Sequence, residues 1–240
     1  MQEVPVIVLT GTIIPNAFMG GVLPVDERRN DYLKAIRYYT RFGKVIFIEN
    51  SDYDFTKDEE FRQISNLEIM QFPKSKYYEK GKGFQEFELL DQFVEAVSDK
   101  YTSFIKITGR YIISDFSSLY RDCQSADVPF IIDTSYKDQH ALTYMFYSDI
   151  KFYKENLMNL YKKCDDHSPT GSIEDVIYRF LHSNKEPQYR FFLTAYNIIG
   201  RAGSNGMGLL NRSRWKVWRR TIFSRKFRYF CLGKRELRGV

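Results

Sequence analysis

The sequence has few cysteines, no long apolar run and almost no acid near its C-terminus, and each scarcity removes a class of protein. Its cysteines, Cys123, Cys164 and Cys231, show no metal spacing and suggest no disulfide framework, so a reduced, cytoplasmic setting is expected. No stretch reaches the roughly 20 apolar residues that cross a bilayer as a helix. The start, Met1-Gln-Glu-Val-Pro-Val-Ile-Val-Leu-Thr10, lacks the basic region of a signal peptide and runs straight into a strand pattern. There is no P-loop, dinucleotide fingerprint, G-x-S-x-G, H-E-x-x-H or zinc signature, and the chemistries those motifs carry are unsupported. No internal repeat or low-complexity segment occurs.

What is present is a globular composition, 43% hydrophobic over 240 residues, enough for a sizeable core. The 20 Phe and 18 Tyr exceed the needs of that core, so some are expected to line a cleft or face a membrane. The net charge of +6 hides an asymmetry. Residues 187–240 hold 13 Lys/Arg against the single acid Glu236, whereas residues 1–186 hold 23 against 29 Asp/Glu. An acidic body with a basic tail predicts an anionic partner for the tail alone.

The centre of the chain is Lys80-Gly-Lys-Gly-Phe-Gln-Glu86 and the segment after it. Phe84, Phe87, Leu90, Phe93, Val94 and Val97 recur at helical spacing, and residues 101–107 read as a buried strand ending in the turn Thr108-Gly-Arg-Tyr111. Earlier, residues 4–10 form a parallel-type apolar strand ending in Thr10-Gly-Thr12. Asp26 is placed as the N-cap of a helix to about residue 42, and residues 44–50 form a second strand ending in Glu49-Asn50-Ser51-Asp52. A short helix near 56–65, strands near 67–72, 128–133 and 141–147, an amphipathic stretch over 149–164 and a helix from Ser172 to about His182 complete the body. Strand–helix alternation predicts an α/β fold with a mostly parallel sheet flanked by helices.

Polar strand ends at Thr10, Gly11 and Thr12 and at Glu49, Asn50 and Ser51 suit the base and ribose of a nucleotide, though such residues also make ordinary turns. Lys80 to Gly83 at a helix N-terminus suits phosphate. Lys106 inside an apolar strand and Arg110 on a glycine turn suit a diphosphate; a structural ion pair of Lys106 with Glu86 or Glu88 is the alternative. Among the carboxylates at element ends, Asp133, Asp149, Glu174 and Asp175, Asp175 fits a cap three residues after Ser172, which leaves Glu174 as first choice for a general base and Asp133 as second. In the tail, Trp215, Trp218 and Ile222 share one helical face among arginines and lysines, the pattern of an interfacial helix on anionic lipid. Nucleic acid is the rival partner and is not expected, since no nucleic-acid motif accompanies the tail.

Taken together, Val6-Ile-Val-Leu-Thr-Gly-Thr12, Arg29-x-x-Tyr32, Phe47-Ile-Glu-Asn-Ser51, Lys80-Gly-x-Gly-x-x-Glu86, Lys106-x-Thr-Gly-Arg-Tyr111 and the glycines from Gly200 to Gly206 make the chain similar to bacterial GT-A-type glycosyltransferases of lipopolysaccharide and capsule biosynthesis. The resemblance covers residues 4–207, with 208–240 as a membrane-associating tail. It implies a Rossmann-like GT-A domain and a nucleotide-sugar donor lying along Thr10–Thr12, Glu49–Ser51, Lys80, Gly83, Glu86, Thr108 and Gly109. It further implies a lipid-linked glycan acceptor at the inner face of the plasma membrane, with galactose a candidate sugar. Such enzymes place an Asp-x-Asp metal motif where this chain has Thr108-Gly-Arg-Tyr111. The expectation is therefore catalysis with no metal, Arg110 and Lys106 stabilising the leaving group; Mg²⁺ or Mn²⁺ held by Asp52-x-Asp54 or Asp133 is the alternative. A non-catalytic nucleotide-sugar- or lipid-binding scaffold is the alternative function.

Overall fold

The computed structural model describes residues 4–15, 23–135, 138–183 and 189–200, together with Trp215, Trp218, Arg219 and Ile222. The apolar runs of the first half become parallel strands: β1 (Val6–Gly11), β2 (Val45–Glu49) and β3 (Leu67–Gln71), with β4 (Ser103–Thr108) on the other side of β1. A short strand β5 (Ile112–Ile113) follows, then β6 (Phe130–Ser135), β7 (His140–Asp149), β8 (Tyr189–Arg190) and β9 (Ile198–Ile199). The main sheet has the order β3-β2-β1-β4-β7-β6-β8, and only β7 runs against the rest. β5 and β9 pair separately as an antiparallel ribbon.

Helices cover both faces, so the alternation of side chains divides the core in two. Val6, Val8, Ile46, Ile48 and Phe104 meet α3 (Lys82–Val97) and α6 (Ile173–Ser183). Ile7, Leu9, Val45, Phe47, Ile105 and Ile107 meet α1 (Val25–Tyr39) and α4 (Phe116–Gln124). All six apolar positions read at helical spacing in α3 are buried. The single-turn helices α2 (Glu59–Arg62) and α5 (Ile150–Phe152) serve as connectors.

Two expectations are corrected. Asp26 does not cap α1: the helix starts at Val25 after Pro24, and Asp26 lies in the first turn, where it still complements the helix dipole. The amphipathic stretch 149–164 is not one helix. It breaks into α5, a wide turn over Tyr153–Leu157 and a tight turn over Leu160–Lys163, because Asn159 adopts a left-handed conformation (φ 67°) and donates its amide to the buried carboxylate of Asp91 at 2.7 Å. Tyr153 donates to the other oxygen of Asp91 at 2.7 Å. Burial, only partly offset by these two donors, raises the Asp91 pKa to about 6.

β8 is anchored by Arg190, which is fully buried between Asp122 (2.7 Å) and Asp127 (2.9 Å). Arg190→Leu would strand the Asp122 carboxylate in the core, at a cost of about 3–5 kcal/mol. The expected readout is a fall in melting temperature of roughly 6–20 °C for a chain of this size. A second close fit joins the ends of β1 and β4. Gly109 donates its amide to the Thr10 carbonyl at 2.9 Å, and a Cβ at Gly109 would lie 2.4 Å from that oxygen. Gly109→Ala should therefore push the turn away from β1 and lower stability by about 1–3 kcal/mol in urea titrations, as overpacked sites do.

Candidate active site

In an open parallel sheet the ligand crevice lies beyond the carboxyl ends of two neighbouring strands whose connections leave in opposite directions. Here that point is between β1 and β4, so Thr10-Gly-Thr12 and Thr108-Gly-Arg-Tyr111 form its two lips. Its floor is an ion pair. Lys106 points to the α3 face, where the alternation of β4 would otherwise place an apolar residue, and is 0% exposed. Its ammonium meets Glu86 of α3 at 2.8 Å and the Thr143 carbonyl of β7 at 2.7 Å, with Phe87 and Phe146 alongside. The same Glu86 oxygen accepts from Thr10 (2.5 Å) and Thr108 (3.0 Å). Burial opposes ionisation of Glu86, but Lys106 and the two hydroxyls outweigh it and hold its pKa below the ordinary value. Lys106 is thus the structural partner of Glu86, beneath the crevice, and is not placed to touch a diphosphate.

Three other cations do face the crevice. Arg110 is 8% exposed, lies over the Tyr32 ring, and its buried Nη1 has no hydrogen-bond partner among the described residues. Arg28 enters from α1 and is held by the carbonyls of Thr12 (3.2 Å) and Ile13 (3.3 Å). Lys82 stands at the start of α3. Burial and the Arg110 charge lower the Arg28 pKa, while desolvation, Arg28 and Arg110 lower that of Lys82. The three therefore form one mutually repelling cluster. Arg28 was not singled out from the sequence, and Lys82 entered only as part of the Lys80–Gly83 loop. The available signal was spacing: Arg28–Tyr32 and Lys82–Glu86 are each one helical turn apart, on one face of their helix. Tyr111 adjoins the same space; burial and Glu86 push its hydroxyl up to about 12, Arg110 opposing. Gly200, at φ 150°, packs against the Arg110 carbonyl, with a Cβ position only 3.0 Å from it; residues 201–206 of the late glycine loop lie outside the described residues.

The remaining expected residues divide. Glu49 is fully buried and turned inward: its carboxylate takes the amides of Ile13 and Ser51, both at 2.8 Å, and the Ser51 hydroxyl. Asn50 accepts from the Thr12 hydroxyl at 2.6 Å. Glu49, Asn50 and Ser51 thus brace the β1 loop, and Thr12 is the member of this rim left half-buried. The N-terminus of α3, expected to receive phosphate, meets a carboxylate of its own chain. Asp166 accepts from Gly83 at 3.3 Å and crowds Gly81, which has φ 108°, while Lys80 lies over Tyr77 and Phe84. Arg29 pairs with Asp58 and Glu60, so of that motif Tyr32 belongs to the crevice.

Of the carboxylates, Glu174 of α6 accepts from Thr143 at 2.7 Å, and its charge adds a minor share to the rise of the Tyr111 pKa. Asp175 exchanges hydrogen bonds with Ser172, as a capping box requires, and binds His140 at 2.9 Å. Asp133, at a bulge in β6, takes the Phe192 amide at 3.2 Å. Asp149 accepts from Tyr147 at 2.6 Å and pairs in register with Ser103, at the opposite end of β4 from the crevice.

The donors at the crevice favour an anion over a divalent cation: among the described residues the Thr108–Tyr111 turn presents the Arg110 guanidinium, and the Glu86 oxygen facing Thr10 and Thr108 is bound to Lys106. Asp52 is bound to Lys74, and Asp54 caps Thr56 and pairs with Lys57 at 2.9 Å. Among the described residues no cluster of three His, Cys, Asp or Glu side chains could hold a metal.

No protein-family model matches the chain, and no curated protein matches it by sequence. Solved structures do match in fold. The WbbM bifunctional glycosyltransferase aligns over 80% of this chain and 39% of its own, with TM-score 0.50 and 9% identity. A putative glucose-1-phosphate thymidylyltransferase from Bacillus anthracis aligns over 92% and 94% (TM-score 0.45, 12% identity), and the galactosyltransferase LgtC over 73% and 70% (TM-score 0.46, 8% identity). At these identities the likeness is one of fold, and it agrees with the sheet order and helix layers above: the chain has the GT-A-like α/β fold of nucleotide-sugar transferases.

Proposed function

We propose that this chain is a sugar-nucleotide-utilising transferase, a glycosyltransferase that moves a hexose, galactose being a candidate, from a nucleoside diphosphate to a lipid-linked surface glycan. The observation that carries the reading is the buried, unpartnered Nη1 of Arg110, among the described residues, at the mouth between β1 and β4. An orphaned buried donor and three crowded cations are both costly, and a diphosphate offsets both costs. The planar guanidinium suits two phosphate oxygens at once.

On this reading the bond from the anomeric carbon to the diphosphate oxygen breaks, and the nucleoside diphosphate leaves with the electron pair. Arg110, Arg28 and Lys82 neutralise that charge without a metal. The acceptor hydroxyl forms the new bond at the anomeric carbon and gives its proton to Glu174. Asp133 is the less suited base, since its carboxylate already holds the Phe192 amide. Lys106 acts at one remove, by fixing Glu86.

The tail supports a membrane-bound acceptor and a place at the inner face of the plasma membrane. Trp215 and Trp218 are helical, stacked 4.8 Å apart, and 62% and 53% exposed, with Ile222 on the same side and Arg219 beside them. No helix among the described residues is long and apolar enough to cross a membrane.

In a thermal-shift panel of UDP-, GDP-, CMP- and dTDP-sugars, one class should stabilise the protein by roughly 5–10 °C at a hundredfold excess over Kd. Arg110→Gln should abolish that shift and EDTA should not; activity lost in EDTA and restored by Mn²⁺ would overturn the metal-free mechanism. Glu174→Gln should keep the shift and lose about 10²–10⁴-fold in transfer. Donor binding by the native chain with no transfer to any lipid-linked acceptor would make it a scaffold. The full chain should co-sediment with anionic but not with neutral vesicles. Trp215→Ser with Trp218→Ser should weaken that binding and leave the donor shift intact.

A further inference from the structure

We infer that Glu86 selects the transferred sugar by accepting a hydrogen bond from one of its hydroxyls, an inference that rests on the donor-binding reading above. All the hydrogen bonds and the ion pair found for this carboxylate converge on one oxygen, Oε1, from Thr10, Thr108 and Lys106. Its second oxygen has no partner among the described residues, although the side chain lies at the base of the crevice and is 23% exposed. A carboxylate has capacity for about four hydrogen bonds, so Oε2 is a free acceptor of fixed position. Lys106 and the two threonines hold the group ionised and immobile, which is the state in which it accepts most strongly.

Its place along α3 names the ligand part it would meet. Lys82, one of the three cations offered to the diphosphate, lies one turn before Glu86 on the same helix, an axial separation of about 6 Å. Two hydroxyl-bearing groups flank a donor's diphosphate, the nucleoside ribose and the sugar ring; the sugar is the one assigned to Glu86, and probes deoxygenated on the sugar tell it from the ribose. The charge then chooses the chemistry. An ionised carboxylate repels phosphate and accepts from neutral O–H donors, and a hexose presents several of these. Removing the right one would leave Oε2 desolvated and unpaired, which penalises the deoxy analogue beyond the lost bond.

The test uses the full chain and three kinds of probe: the nucleoside diphosphate selected by the panel, its hexose conjugate, and that conjugate deoxygenated singly at each ring position. Calorimetry on the native protein should find one deoxy analogue bound about tenfold or more weaker than its parent, as expected for a hydrogen bond to a charged group. Glu86→Gln should reduce the ratio between parent and deoxy conjugate. Because a lone change leaves Lys106 as a buried unpaired charge, the decisive variant is Glu86→Leu with Lys106→Met, in which both charges go together. There the ratio should fall below about threefold, parent and deoxy conjugate both being measured on the same variant. A native protein that binds the diphosphate but discriminates against no deoxy analogue overturns the inference and leaves the donor reading standing. So does a double variant that keeps the full ratio. A native protein that binds no nucleoside diphosphate overturns both.

Discussion

The structure depends on one buried ion pair, Lys106 with Glu86. Taking an ammonium out of water is unfavourable unless its partners are placed to receive it, and here every neighbour is enlisted. Thr10 and Thr108 are register partners across β1 and β4, so their hydroxyls reach the same carboxylate oxygen, while the ammonium also donates to the Thr143 carbonyl from the β7 side and to the Thr108 hydroxyl at 3.1 Å. A slip of one residue between β1 and β4 would turn Lys106 toward the α1 face and separate the two hydroxyls. The pair thus ties three strands and a helix into one register, directly under the crevice.

Above that floor the electrostatics change sign. Two arginines reach the crevice from the α1 side and Lys82 from α3, while the chain's own Asp166 occupies the helix N-terminus that would otherwise attract an anion. On the proposed reading a diphosphate lies among Arg28, Arg110 and the Lys82 side chain and away from the helix N-terminus itself. Gly109 and Gly200 let backbone pass close enough to keep the Arg110 turn in place. From the floor a polar path continues through Thr143 to Glu174, so the candidate donor and acceptor sides share one buried set of hydrogen bonds.

Much of the architecture was legible before any coordinate. The strands ending at Gly11, Glu49 and Thr108, the spacing of α3 and the Ser172–Asp175 cap follow from local rules of burial, periodicity and capping, whereas Asp133, read as a strand end, lies inside β6 at its bulge. The candidate site was legible in part: the strand ends that meet there stood out as polar turns, and Arg110 and Lys106 as charges in turn or apolar settings. The misplaced features share a cause. Stretch 149–164 has helical spacing, but Asn159 is pulled out of helical geometry by Asp91, a residue of another helix. Lys80–Gly83 has the composition of a phosphate loop, but Asp166, far along the chain, fills it.

The sequence by itself determined the strand and helix layers, their two-sided burial and the uneven charge of body and tail, because apolar periodicity and net charge act residue by residue along the chain. Which polar groups meet was settled by the packing of the folded chain. Lys106 pairs with Glu86, and Arg28 and Lys82 gather with Arg110 at the crevice, because such meetings depend on short distances between groups far apart in sequence, and composition carries no record of those distances.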